Sequence, residues 1–255
     1  MHVVRMCVVV LSVVGLFVSM AQAQGGRTVI RTYFVTPKPG MGLQYEEAYK
    51  RHVAWHRQQR DTWRWDTYMI EAGERVGQFV HVTAGHQWKD FDNPAVSDQA
   101  DAADYASNAG QYAESASSVF SVYRPDMSRM SPDSTEPAPL LQAIRFEVNS
   151  GADGFFRDGE RKIREAFEKT NRPEQWFYLQ RISGDETPTY ILLFPKKSWA
   201  EFAPRQDVPN LGETLEEVYG HRESEAMIER FRRAVRRESS YVLKYRPDLS
   251  YVPQR

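Results

Sequence analysis

A chain of 255 residues, 41% hydrophobic and 13% aromatic, has the material for a sizeable core, and long disordered stretches are excluded on that composition. Lys and Arg number 33 against 34 Asp and Glu, a net charge of -1 that gives no reason to expect nucleic acid or an acidic membrane as partner. The single Cys, Cys7, excludes a disulfide framework and a clustered thiolate metal site.

Residues 1–23 read as a signal peptide. Arg5 supplies the positive start, Val8 to Val18 is almost wholly apolar, and Ala21-Gln22-Ala23 is a small-x-small cleavage site. The apolar run is shorter than the ~20 residues of a comfortable transmembrane helix; a retained anchor is the alternative. Cys7 precedes the run, whereas a lipid anchor needs its Cys at the cleavage point. Cleavage after Ala23 removes Cys7 and Arg5 and leaves 32 Lys and Arg against 34 Asp and Glu. Asn93, Asn108, Asn149, Asn171 and Asn210 all lack a Ser or Thr two positions on, so no N-glycosylation acceptor exists. The expectation is a periplasmic or secreted bacterial protein with no membrane partner once the signal is cut.

Thr28 to Thr36 alternates β-branched and aromatic residues and predicts a strand, broken by Pro37, Pro39 and Gly40. Met41 to about Arg60 has helical apolar spacing. Trp65 to Ile70 and Gln78 to Thr83 predict a hairpin around Gly73 and Gly77. A short helical turn carries Trp88 and Phe91, and Ala-rich Ser97 to Ser117 predicts a weakly amphipathic helix. Val119 to Tyr123 is a last strand, stopped by Pro125. Met127 to Pro139, rich in Ser, Thr and Pro, reads as a linker. The order then recurs: strand Leu140 to Val148, helix Phe155 to Thr170, strands Trp176 to Ile182 and Thr189 to Phe194, one helix or two over Leu211 to Arg237, strand Ser240 to Tyr245.

The recurrence is also one of residues. Gly40, Trp65, Gly73, Trp88 and Phe91 match Gly151, Trp176, Gly184, Trp199 and Phe202 at a single offset of 111. Tyr123-Arg124-Pro125-Asp126 returns as Tyr245-Arg246-Pro247-Asp248, which most simply ends a strand in a turn. The chain is one module written twice, residues 28–126 and 140–250. Each copy is β-α-β-β-α-β, the ferredoxin-like order, in the α+β class, with helices on one face of an antiparallel sheet. The bare face of each sheet needs a partner, which the other copy can supply within one chain.

Over about residues 28 to 250, element order and repeat resemble the dimeric α+β barrel superfamily in tandem, single-chain form. That resemblance implies a pseudo-dimeric barrel. Relatives of this kind include haem-binding peroxidases, chlorite-degrading enzymes, and cofactor-independent or haem-degrading monooxygenases.

The two copies also act as controls on each other. Tyr45, Tyr49, His52 and His56 share one face of the first helix, where the second copy has Phe156, Glu160, Ile163 and Phe167. Two imidazoles four apart can share a metal, or one can bind a haem iron; in a slightly rotated helix, Val53 and Trp55 fill the core instead. The resemblance places an iron-binding helix His typically in the C-terminal repeat, and here the pair lies in the first. His81 stands where the second copy has Leu192, fit to orient a ligand or move a proton if its face lines the lumen, or else a satisfied core His. His86 reads as a surface turn residue, and Trp65, Trp176, Trp88 and Trp199 as core. Asp98, Asp101 and Asp104 near a helix start, and Arg230 to Arg237 near a helix end, read as scaffold that complements helix dipoles.

These readings point to a small apolar molecule bound in an aromatic pocket by Tyr45, Tyr49, His52, His56 and His81. An oxidoreductase or monooxygenase of the barrel type, with His as iron ligand or proton shuttle, is one alternative. An interaction protein with a filled barrel is another.

Overall fold

The computed structural model describes residues 29–130, 136–205 and 207–254. The signal peptide expected over 1–23, and part of the expected linker, lie outside the described residues. The first copy runs β1 (Val29–Pro37), α1 (Gly42–Gln58), β2 (Asp66–Ala72), β3 (Phe79–His86), α2 (Asp98–Ser107), β4 (Ala113–Tyr123). The second runs β5 (Leu140–Val148), α3 (Asp153–Lys169), β6 (Phe177–Ser183), β7 (Thr189–Lys196), α4 (Leu211–Tyr219), α5 (His221–Ala234), β8 (Val235–Tyr245). Among the described residues no helix is long and apolar enough to cross a membrane.

The eight strands close into a barrel in the order β1-β3-β2-β8-β5-β7-β6-β4. Each copy keeps its own sheet, and the last strand of each pairs with the other copy, β4 with β6 and β8 with β2. Closure leaves neither sheet an open edge. The expected covering of one sheet by the other is thus achieved by edge pairing around a shared lumen.

Period-2 alternation sorts the strand residues. Val80 of β3 and Ile191 and Leu193 of β7 join Phe34, Ile70, Phe177, Leu179 and Leu243 in one cluster drawn from all eight strands, which lines the lumen. Phe79 on β3 and Tyr190 and Leu192 on β7 instead point outward, into clusters beneath the helices. Each such fully buried Phe or Leu contributes roughly 1.5–3 kcal/mol.

The repeated Tyr-Arg-Pro-Asp segments lock the two seams identically. Arg124 N donates to Tyr178 O and Arg246 N to Thr67 O, at 2.9 and 2.8 Å. Ser128 and Ser250 then accept from the backbone N–H of Tyr178 and Thr67. Each Arg also bridges its Asp two residues on, Arg124 to Asp126 and Arg246 to Asp248. Gly73 and Gly184 lie at the same crossings with positive φ. A Cβ on Gly184 would sit 2.2 Å from the Ser118 carbonyl oxygen, and one on Gly73 would sit 2.9 Å from that of Ser240.

Three expectations about elements need correcting. The helix predicted over Ser97–Ser117 stops at Ser107, and Ala113 to Ser118 belong to β4, paired with β1 from Pro37 to Tyr33. Ladder bonds there outweigh the helical preference of Ala. The long helical stretch breaks at Gly220, φ 78°, and ends at Ala234, so Arg236 and Arg237 lie on β8 and pair with Glu147 and Glu74 rather than capping a helix. Trp65 and Trp176 are core, but Trp88 and Trp199 are 49% and 53% exposed on their short 3-10 turns.

Candidate functional site

Helix α1 lies on the outer face of β1, β2 and β3 and turns Tyr45, Ala48, Tyr49, His52, Val53 and His56 inward. Val53 therefore shares the buried face with the imidazoles rather than replacing them, and His52 and His56 are 4% and 3% exposed. The helix ends with Arg60 in the left-handed region, φ 53°, and Asp61 N donates to His56 O. That reversal folds the Asp61 carboxylate back onto His56 Nδ1 at 2.9 Å. From the other side, α2 brings Asp104 Oδ1 to 2.8 Å from His52 Nδ1.

Both imidazoles thus donate Nδ1–H to a carboxylate, which turns both Nε2 atoms the other way. They lie 3.3 Å apart. Asp101 Oδ1 completes the group, 3.2 Å from His52 Nε2 and 3.4 Å from His56 Nε2. It is buried but off the axis of any N–H···O hydrogen bond. Burial opposes charge on His56, yet Asp101 and Asp61 outweigh it and push its pKa up to about 9. Burial likewise opposes ionisation of Asp101, and the two imidazoles hold it below the usual carboxylate range.

His81 is built differently. Thr67 Oγ1 spends its hydrogen on Leu249 O at 2.7 Å, so it accepts from His81 Nδ1–H at 2.9 Å. His81 Nε2 then accepts from the Tyr45 hydroxyl at 2.8 Å. With both nitrogens engaged the ring is neutral, and burial with the neighbouring His52 pulls its pKa down to about 3. Its face packs under α1 and not in the lumen, stacked on Tyr49 with centroids 4.0 Å apart. It is a satisfied wall residue.

These groups surround a cavity of about 290 Å³, open to solvent beside α2. Tyr33, Tyr49, Trp65 and Tyr105 form its rings; His52, His56 and Asp101 form a polar floor. Of the predicted residues Tyr49, His52, His56 and His81 line it, whereas Tyr45, fully buried, backs His81 without reaching the space. Asp101 lines the cavity and Asp104 holds His52, so neither is helix-dipole scaffold alone, and Asp61 is a third acid, on His56, that spacing along one element does not reveal. The signal for Asp61 was present, since its counterpart at the repeat offset is Arg172. His86 is also no surface residue: it is 6% exposed, bonded to Thr83 Oγ1 and packed on Trp63 and Phe91.

The second copy has a larger cavity in the equivalent place, about 540 Å³, walled by Phe146, Phe167, Trp176, Leu215 and Phe231 with Glu160 as a buried carboxyl. Among the described residues no His lines it, Ile163 and Phe167 holding the helix positions. A haem, the alternative the resemblance left open, does not fit either cavity. The second lacks an imidazole, and in the first each Nε2 already has the other Nε2 or Asp101 within 3.4 Å, where a macrocycle would have to enter.

No known family pattern and no curated protein matches the chain. Solved structures do. A candidate monooxygenase of Lactobacillus acidophilus aligns over 89% of this chain and 97% of its own, with TM-score 0.52 and 10% identity. An anthrone oxidase-like protein aligns over 88% and 93%, with TM-score 0.50 and 13% identity. A mutant chlorite dismutase of Candidatus Nitrospira defluvii aligns over 90% and 95%, with TM-score 0.53 and 12% identity. The fold is that of the dimeric α+β barrel proteins. At such identities the likeness concerns fold alone.

Proposed function

We propose that this chain is an exported barrel protein that binds a small planar aromatic molecule in the cavity under α1. The observation that carries the reading is the pairing of ring walls with a polar floor: Tyr33, Tyr49, Trp65 and Tyr105 around His52, His56 and Asp101. Flat rings favour offset or edge contact with other rings, and the floor orients a hydroxyl or carbonyl group. At about 290 Å³ the space suits a ligand of two or three fused rings.

A second reading, oxidation of that molecule by a barrel-type monooxygenase, is favoured by the His–Asp pairs, which can hold or deliver a proton beside the ligand. The candidate monooxygenase and the anthrone oxidase-like protein share this fold, which makes the chemistry worth testing on phenolic and anthrone-type ligands.

Titration with 1-naphthol and with anthrone, read as the heat change on mixing, tests binding. Ala116→Trp, placed at the exposed rim of the cavity, is expected to abolish the change while the fold persists. Equal binding by that variant and the parent chain removes the reading. Aerobic incubation followed by product analysis separates simple binding from oxidation.

A further inference from the structure

The Nε2 atoms of His52 and His56 and the Oδ1 atom of Asp101 form a nearly equilateral triangle with sides of 3.2, 3.3 and 3.4 Å. All three ligand-type atoms belong to one compact group. A tetrahedral ion with bonds of about 2.0–2.1 Å holds its ligand atoms about 3.3 Å apart. The triangle therefore has the dimensions of one face of such a polyhedron.

A proton on His56 Nε2 satisfies only one edge of the triangle, since it points to His52 Nε2 and leaves Asp101 Oδ1 off its axis. Both Nδ1 hydrogens are committed to carboxylates, Asp104 for His52 and Asp61 for His56. With both rings neutral the inward atoms bring three electron pairs to one point, and Asp101 Oδ1 has no well-directed hydrogen bond although it is buried. A cation at that point satisfies all three at once. The outer carboxylates match the second shell of metal-bound His, where a carboxylate fixes the tautomer and raises the basicity of the ring. Trp63 N and Trp65 Nε1 in turn hold Asp61 at 2.9 and 3.2 Å.

We infer that His52, His56 and Asp101 bind one divalent first-row transition ion at the floor of the aromatic cavity. Two imidazoles and one carboxylate suit zinc or ferrous iron. Three protein ligands leave at least one coordination position, and it faces the cavity walled by Tyr33, Tyr49 and Tyr105. A phenolate, enolate or carbonyl oxygen of the ligand, or a water, takes that position. The second copy, with Ile163, Phe167 and Arg172 in place of His52, His56 and Asp61, lacks the arrangement. This inference rests on the reading of the cavity as the working site, and it adds the cofactor.

The test uses the full mature chain, stripped with a chelator and titrated with cobalt(II), whose visible ligand-field absorption reports tetrahedral nitrogen and oxygen ligation. One equivalent is expected to saturate the band, and zinc(II) to displace it. Asp101→Asn and His56→Gln should lose the band at equimolar metal, and Asp104→Asn should weaken binding about 10–100-fold. Far-UV circular dichroism checks that each variant folds. Should one not fold, a saturable rise in the Tm of the unmodified chain with zinc(II) carries the test. The inference is overturned if the unmodified chain shows neither band nor Tm rise, or if Asp101→Asn and His56→Gln bind cobalt(II) as the parent does. Repeating the 1-naphthol titration with and without cobalt(II) keeps the two readings apart. Metal uptake without 1-naphthol binding supports the centre and sinks the ligand, whereas 1-naphthol binding without metal uptake does the reverse.

Discussion

Asp61 Oδ2 accepts a hydrogen bond from His56 Nδ1 at 2.9 Å, and the residue at the matching place in the second copy is Arg172. The carboxylate is 5% exposed and also accepts from Trp63 N and Trp65 Nε1. Every neighbour is thus a donor. Asp61→Asn puts an NH₂ group against one of them, and the expected loss is about 1–3 kcal/mol, read by urea unfolding. An unchanged midpoint means that these donors are solvated and that Asp61 does not orient His56.

The crossings of the two copies make a sharper prediction. Gly184 and Gly151 have similar backbone angles, φ 87° and 80°. A Cβ on Gly151 meets nothing within 4 Å, whereas one on Gly184 meets the Ser118 carbonyl at 2.2 Å. Gly151→Ala is expected to cost about 1–2 kcal/mol, the left-handed penalty alone. Gly184→Ala must also separate β4 from the β6–β7 turn, and should cost about 1–3 kcal/mol more than that penalty, as overpacking does. Thermal unfolding of the two variants side by side decides it.

Fold was legible because two independent periodicities agreed, the 111-residue repeat and the strand and helix patterns inside it. Comparison of the copies then singled out His52, His56 and His81, all buried in the structure. What it missed were partners that arrive through tertiary contact. Asp101 and Asp104 come from α2, whose length was overestimated because Ala113 to Ser118 favour helix until β1 offers them a ladder. Their role depends on where α2 crosses α1, and spacing along one helix does not report that. The exposed Trp88 and Trp199 fail for a related reason: both copies keep them, but agreement between copies does not distinguish buried from exposed scaffold.

Glu160 supplies a pH test of the second cavity. Burial pushes its carboxyl up to about 7, with the Tyr178 hydroxyl opposing the shift. A folded-state value above the ordinary 4.5 means that the fold prefers the protonated acid. That contribution is complete below pH ~4.5 and is lost as pH rises through ~7, a change on the order of 3 kcal/mol. Glu160→Gln mimics the neutral form, so the stability difference between variant and parent should grow in favour of the variant across that window. A pH-independent difference shows that the cavity around Glu160 is wet.

His81 predicts the opposite slope. Its pKa in the fold, about 3, lies below the ordinary 6.5, so the fold prefers the neutral ring and stability falls as pH drops from ~6.5 toward ~3. The slope attributable to this one group approaches 1.4 kcal/mol per pH unit. His81→Leu, the residue of the second copy, should remove it while leaving the Tyr45 hydroxyl without its acceptor. Thr67→Val removes the other partner, orphaning His81 Nδ1–H and the Leu249 carbonyl, at about 2–4 kcal/mol. In the double variant no imidazole remains to be orphaned, so its cost should fall short of the sum of the singles by about 1 kcal/mol or more. Strict additivity, measured by denaturant unfolding at pH 7.5, means that Thr67 does not hold His81 in its neutral tautomer.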